Sequence, residues 1–170
     1  MANNCLLCES HVQSRLTGYL KPITISPVLE DADHWSVKTT VGYQNDAAEG
    51  PMAACLDSAS THIFLPPKTY NMFIQQIGAE QDGDMTVISS ENYAKMGNLD
   101  IEIGGRSYPL PPSALVEQEW DGPDIGLKVV EGDMLLGIPF FERYYVRVDA
   151  DKNQVGLATT RYSLVNTYNA

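Results

Sequence analysis

The sequence predicts a mostly β fold with a few short helices, and three observations lead there. Short runs of alternating apolar and polar residues recur along the chain, separated by 13 glycines and 10 prolines, which is typical of β-rich domains. The length of 170 residues fits one domain. Apolar residues make up 44% of the chain and charged residues 19%, a composition typical of a globular protein with a core.

The predicted strands follow the period-two pattern of a sheet with one buried face. In the first, Val37, Thr39 and Val41 share a face with Trp35. Two later runs flank the pair Gly104-Gly105, which predicts a hairpin with a two-residue loop. The predicted strands are 34–43, 99–103, 106–110, 144–149, 154–159 and 161–165.

One helix is clear from its pattern, since apolar residues recur at the spacing of a single helical face. Pro66 and Pro67 precede it and Gly78 follows it, as is common at helix starts and ends. Its apolar face comprises Tyr70, Phe73, Ile74 and Ile77. Shorter helical turns are predicted at 111–116 and 138–143, and the acidic stretch 117–121 is expected to be an exposed loop.

Charge and cysteine content exclude several classes of function. The net charge is −11, and such a surface repels phosphate backbones and anionic lipids. We therefore expect neither a nucleic-acid nor a membrane partner. The chain shows no secretory signal pattern, no Asn-x-Ser/Thr sequon and an odd number of cysteines, which predicts a cytoplasmic location. Cys5 and Cys8 lack a second ligand pair at zinc-like spacing, so no metal or other cofactor is expected.

One motif has the residue types that acid–base chemistry requires. Asp57 follows the apolar pair Cys55-Leu56 and precedes the small hydroxylated residues Ser58 and Ser60. The pattern places a carboxylate at the end of an apolar strand, where those hydroxyls can donate hydrogen bonds to it. Burying a carboxylate is costly without such donors, and we therefore predict a functional role for Asp57.

These residues resemble the active-site loop of the pepsin family of aspartic peptidases. Asp57-Ser58-Ala59-Ser60 is similar to the family's Asp-Thr-Gly-Thr/Ser loop, and Leu135-Leu136-Gly137 is similar to the apolar-apolar-Gly segment that crosses that loop. Further matches to the family's C-terminal lobe occur in the family's order, at residues 18–23, 35–37, 108–114, 140–149 and 153–158.

The resemblance covers one lobe, so it implies a single pepsin-like lobe, a closed or partly open β-barrel with a few short helices. Residues 17–159 would form this lobe, 1–16 an N-terminal arm that is frayed, and 160–170 a tail that adds a strand or a dimer contact. Pepsin-like enzymes have two lobes, each of which gives one aspartate to a shared site. We expect 170 residues to hold only one of the two lobes.

The resemblance implies catalytic roles for Asp57, Ser58 and Ser60, where the two hydroxyls hold the loop. It also suggests a substrate-contacting set that comprises Ala59, Ile63, Leu65, Ile125, Leu127 and Ile138. Two positions depart from the family pattern. Ala59 replaces a Gly, so a methyl group is expected to crowd the loop, and a positive φ there would be costly. Ile138-Pro139 stands where an Asp usually follows the partner Gly.

Three functions are compatible with one such carboxylate. The favoured hypothesis is that Asp57 acts as a single general acid or base on a small, largely apolar substrate, in a cyclisation or isomerisation-type biosynthetic step. The alternative is a homodimeric aspartic endopeptidase in which two copies of Asp57 share one proton across a twofold axis. The third is a non-catalytic binding module, because a lobe without its partner exposes a strand edge.

Overall fold

The computed structural model describes residues 24–29, 34–44, 46–83, 85–119 and 122–160. The predicted arm 1–16, the predicted strand 161–165 and all of the tail except Thr160 lie outside these ranges. Within the described ranges, no helix is long and apolar enough to cross a bilayer.

The described residues form a mostly β fold with short helices, as predicted. The strands are β1 (Thr24–Pro27), β2 (Ser36–Tyr43), β3 (Asp46–Leu56), β4 (Ile63–Leu65), β5 (Glu80–Asp82), β6 (Met85–Val87), β7 (Leu99–Ile103), β8 (Arg106–Leu110), β9 (Val116–Glu119), β10 (Gly122–Ile125), β11 (Leu127–Val129), β12 (Met134–Leu136), β13 (Tyr144–Asp149) and β14 (Gln154–Thr159). The helices are α1 (Pro67–Ile77), α2 (Ser90–Lys95), α3 (Pro112–Leu115) and α4 (Ile138–Phe141).

Seven of these strands form the main sheet, in the order β11-β4-β12-β3-β2-β7-β8. Strand β12 is parallel to β3 and antiparallel to β4, and therefore lies between two strands that follow each other in the chain. The β3–β4 connection must consequently cross the end of β12. This crossing positions the candidate site.

The predicted β7–β8 hairpin is confirmed, with Ile103 paired to Arg106 across the two-residue loop. Gly104 and Gly105 have φ values of 60° and 74°. Only glycine adopts this left-handed conformation readily at both central positions of a hairpin turn. The β13–β14 hairpin is also confirmed, and its edge partner β1 completes a three-stranded sheet.

The core lies against the inner face of the main sheet. Val37, Thr39 and Val41 are buried, as the alternation in β2 predicted. Helix α1 begins after Pro66 and ends at Gly78, which has a φ of 64°. Its Phe73 packs edge-to-face on Tyr43 of β2, with the ring centroids 4.9 Å apart. This contact fixes the predicted helix to the predicted sheet.

Two elements differ from the sequence-based expectation. Residues 117–119, expected in an exposed loop, belong to β9, which pairs with β10 in a four-stranded sheet with β5 and β6. Helix α2 was not predicted, because it is short and contains no buried residue, so it has no apolar periodicity. The feature of the sequence that indicates α2 is instead its N-cap residue, Ser89. The Ser89 side chain accepts a hydrogen bond from the Asn92 backbone N–H.

Candidate active site

The site is built where the β3–β4 connection passes over the end of β12. At this crossing two backbone hydrogen bonds join the segments. The Asp57 N–H donates to the Leu136 carbonyl at 3.1 Å, and the Ile138 N–H donates to the Ser60 carbonyl at 2.8 Å. The loop that carries Asp57 is thus fixed to a strand about 80 residues later in the chain, a pairing that only the tertiary fold creates.

Gly137 makes this crossing sterically feasible. A Cβ atom built on Gly137 would collide with the backbone carbonyl oxygens of His62 and Ser60. Its backbone has φ −92° and ψ −160°, which other residues adopt without strain. Glycine is therefore required at this position for space and not for backbone conformation.

The Asp57 carboxylate is held by donors from its own loop. One oxygen, Oδ1, accepts a hydrogen bond from the Ala59 N–H at 3.0 Å. The other, Oδ2, accepts one from the Ser60 hydroxyl at 2.6 Å. The loop closes on itself through a third bond, in which the Ser60 N–H donates to the Asp57 carbonyl at 3.2 Å. Both carboxylate oxygens are thus oriented by donors within the chain itself.

These donors lower the pKa of Asp57. The largest cause is the Ser60 hydroxyl, followed by the Ala59 N–H, and the charge of His34 lowers it further. Desolvation by burial works in the opposite direction. Because the carboxyl group is partly exposed, desolvation is weak and the hydrogen bonds prevail. The site therefore favours the ionised form of Asp57.

A buried thiol, Cys55, lies two residues before Asp57 in the chain. Cys55 is free and buried, and burial raises the pKa of its thiol, with the charge of Asp57 as the next cause. A hydrogen bond with Ser36 lowers that pKa, and the charge of Asp133 raises it. The thiol therefore stays protonated and has the character of a packing group.

Four of the residues predicted to contact substrate lie in the hydrophobic core. They are the fully buried core residues Ile63, Leu65, Ile125 and Leu127. A side chain with no accessible surface cannot touch a ligand, so the structure corrects their role to packing in the core. Ile63 and Leu65 lie on β4 and Leu127 on β11 of the main sheet, whereas Ile125 ends β10 of the four-stranded sheet. All four belong to the hydrophobic core, whereas the sequence shows only that they are apolar. Ile138 is partly exposed next to the crossing and stays a prediction.

The structure places Ser58, Ala59 and Ser60 together with Asp57 in one tight turn. Ser58 and Ala59 are exposed, and Ser60 is partly exposed. Among the described residues, the non-glycine residues with positive φ are Gln44 and Asn153. Ala59 is therefore free of the backbone strain that a positive φ would cause, and its methyl group points to open surface. The loop accommodates alanine within this chain.

Sequence reasoning missed His34 as a neighbour of Asp57. The signal is the register of β2 on β3, because Ser36 faces Cys55 and the Leu56 N–H donates to the Trp35 carbonyl at 2.9 Å. His34 is the next residue outward, beside Asp57. Once Ser36 is known to pair with Cys55, the antiparallel register places the residue two positions before Ser36 opposite Asp57.

The geometry agrees with the comparison to known proteins. A family model described as eukaryotic aspartyl protease matches residues 13–160. This chain belongs to the eukaryotic aspartyl protease family. The resemblance to the pepsin family, inferred from the loop and its Gly partner, is thereby confirmed.

Relatives with known names support the same family. The chain is 30% identical to pepsin A of Gallus gallus over 135 residues, which cover 74% of this chain and 36% of that protein. It is 33% identical to chymosin of Bos taurus, over 66% of this chain and 30% of that protein. The crystal structure of an aspartic proteinase from Irpex lacteus matches with a TM-score of 0.79 at 19% identity.

That structural match covers 85% of this chain and 49% of the other. The chain thus spans about a third of the curated pepsin and about half of the fungal proteinase. The aligned part of this chain has the fold of the corresponding half of a pepsin-like aspartic proteinase. This match confirms the predicted fold class.

Proposed function

We propose that this chain supplies one carboxylate, Asp57, to an aspartic peptidase that hydrolyses peptide bonds. The observation that supports this most directly is the complete Asp57 loop, in which both carboxylate oxygens accept hydrogen bonds from Ala59 and Ser60. The carboxyl group is also partly exposed. A second carboxyl group can therefore reach it from outside the chain without any rearrangement of the core.

Peptide hydrolysis needs an acid and a base at once. In a carboxyl pair that shares one proton, the ionised member takes a proton from water, and the water oxygen attacks the peptide carbonyl carbon. The protonated member donates its proton to the carbonyl oxygen, which yields a tetrahedral intermediate. The C–N bond then breaks as the amine leaving group accepts a proton. Because its pKa is lowered in the single copy, Asp57 suits the role of the ionised member. When two copies meet, the repulsion between two like charges raises the pKa of one of the two carboxyl groups and keeps that group protonated.

We propose a second copy of this chain as the source of the other carboxyl group. A twofold axis through the exposed loop would bring Asp57 of each copy to the same water. Ser58 and Ala59, which are exposed beside it, would then lie at the contact between copies. Twofold homodimers are the commonest oligomers among soluble proteins.

The hypothesis of a single acid or base acting on a small apolar substrate is the second candidate. Its supporting observation is that Asp57 is reachable from solvent in one copy. Two observations place it behind peptide hydrolysis. A carboxyl group with a lowered pKa is a poor general acid. In addition, four of the predicted apolar contacts are inside the core. A non-catalytic binding role is the third candidate.

A peptide-cleavage assay separates these candidates. The full chain is incubated with a peptide library between about pH 3 and 6, the range in which carboxyl groups titrate, and cleavage is read by mass spectrometry. We expect cleavage that Asp57→Asn abolishes and that Asp151→Asn, a control on an exposed turn, leaves intact. Cleavage by an Asp57→Asn protein that equals wild type would refute the proposal.

The source of the second carboxyl is tested by adding Asp57→Asn protein to a fixed amount of wild type. In an exchanging homodimer, an equal amount of variant lowers the activity to about half, because mixed dimers carry one carboxylate. Activity that is unaffected by the variant excludes a pair between copies. The cytoplasmic location stays a prediction, which fractionation of the tagged protein in its cells would test.

A further inference from the structure

Within the part of the chain that the structure describes, the positive charge that acts on Asp57 belongs to His34. The chain carries 22 acidic and 11 basic residues, and the exposed Asp133 lies close enough for its charge to act on Cys55, two residues before Asp57. Against this background His34 is the group whose positive charge acts on Asp57. A substrate that approaches Asp57 therefore meets His34 as well.

The backbone fixes His34 in this position. The Ser36 N–H donates to the His34 carbonyl at 2.8 Å, and the Leu56 N–H donates to the Trp35 carbonyl at 2.9 Å. These two bonds tie the segment before β2 to the segment that leads into Asp57. The His34 side chain itself is exposed, so its imidazole can meet an incoming ligand without displacing any packed group.

We propose that His34 is a specificity-determining residue that selects substrates with an acidic side chain beside the scissile bond. This inference rests on the proposed peptidase function and names the substrate class of the same site. A protonated imidazole attracts the carboxylate of a glutamate side chain, whereas the neutral amide of glutamine offers it no opposite charge.

The expected preference is modest because the pair would form at an exposed position, where salt bridges are weak. We expect about a threefold higher kcat/KM for a peptide with Glu than for the matched peptide with Gln. Without His34, the acidic surroundings should remove or invert this preference.

The test uses paired peptides in which each of three positions on either side of the cleaved bond carries Glu or Gln in turn. We expect the Glu/Gln ratio of kcat/KM to exceed one at a single position in wild type and to fall to one or below in His34→Gln. The matched control is Lys38→Gln, which removes another exposed cation from the same segment and should keep the ratio. A ratio unchanged by His34→Gln overturns the inference.

A binding assay separates failure of this inference from failure of the proposed function. Fluorescently labelled statine-containing peptides with Glu or Gln at the same positions are titrated into Asp57→Asn and into Asp57→Asn/His34→Gln. A Glu preference that depends on His34, without any cleavage by wild type, supports the inference while the peptidase proposal fails. Cleavage without that preference overturns the inference alone. Absence of both binding and cleavage overturns both.

Discussion

Replacing Gly137 by alanine should damage the site through space alone. The added Cβ atom would overlap the carbonyl oxygens of His62 and Ser60, and both are backbone atoms that cannot rotate away. Relief requires the loop and β12 to separate. That separation breaks the two backbone hydrogen bonds of the crossing, from Asp57 to Leu136 and from Ile138 to Ser60.

The expected cost follows from these two effects. Each lost hydrogen bond contributes about 1 kcal/mol, and forcing an extra carbon into a closely packed region costs about 1–3 kcal/mol. The free energy of unfolding should therefore fall by about 3–5 kcal/mol, a large share of the roughly 5–15 kcal/mol that stabilises a domain. For a chain of this size the melting temperature should fall by about 10 °C.

The measurement is urea unfolding, monitored by circular dichroism, of wild type, Gly137→Ala and the matched control Gly50→Ala. Gly50 lies in β3, the strand that leads to Asp57, and a Cβ atom there would meet nothing within 4 Å. Because alanine restricts the unfolded chain, Gly50→Ala should be neutral or stabilise by less than about 1 kcal/mol. If Gly137→Ala unfolds within about 1 kcal/mol of wild type, the steric account of the crossing is wrong.

Three further changes test the hydrogen bonds of the fold and the site. Ser60→Ala should raise the pKa of Asp57, measured by carbon NMR of its carboxyl group, and Ser60→Thr should keep it low. Since Asp57 has a lowered pKa in the fold, it stabilises the protein above about pH 4 and loses that effect as the pH falls. Ser60→Ala should therefore reduce the difference in unfolding free energy between neutral and acid pH. Tyr144→Phe removes a 2.6 Å hydrogen bond to the Pro109 carbonyl and should cost about 1–2 kcal/mol in urea unfolding. Ser89→Ala removes the cap of α2 and should cost about 1 kcal/mol, with no effect on cleavage. For Ser60→Ala, Tyr144→Phe and Ser89→Ala, a titration or stability equal to that of wild type would contradict the assigned role.

Local patterns in the sequence determined much of the fold. The Gly104-Gly105 pair dictated its hairpin because two successive left-handed residues have few other solutions. The prolines before α1 and Gly78 after it bounded that helix, since both residue types act on the backbone within one turn. The loop around Asp57 was also recognisable in this way, because its carboxylate and its donors lie within four residues of each other.

The tertiary structure alone decided which residues meet across the sheet. Periodicity could not show that β12 inserts between β3 and β4. The resemblance implied that residues 135–137 cross the Asp57 loop, but only the structure shows that a Cβ atom at Gly137 would collide with the backbone of that loop. Periodicity likewise could not tell that Ile63 and Leu127 are core residues and that His34 neighbours Asp57. Apolar character is a property of one residue, whereas burial and electrostatic proximity depend on strand pairing between segments far apart in the chain.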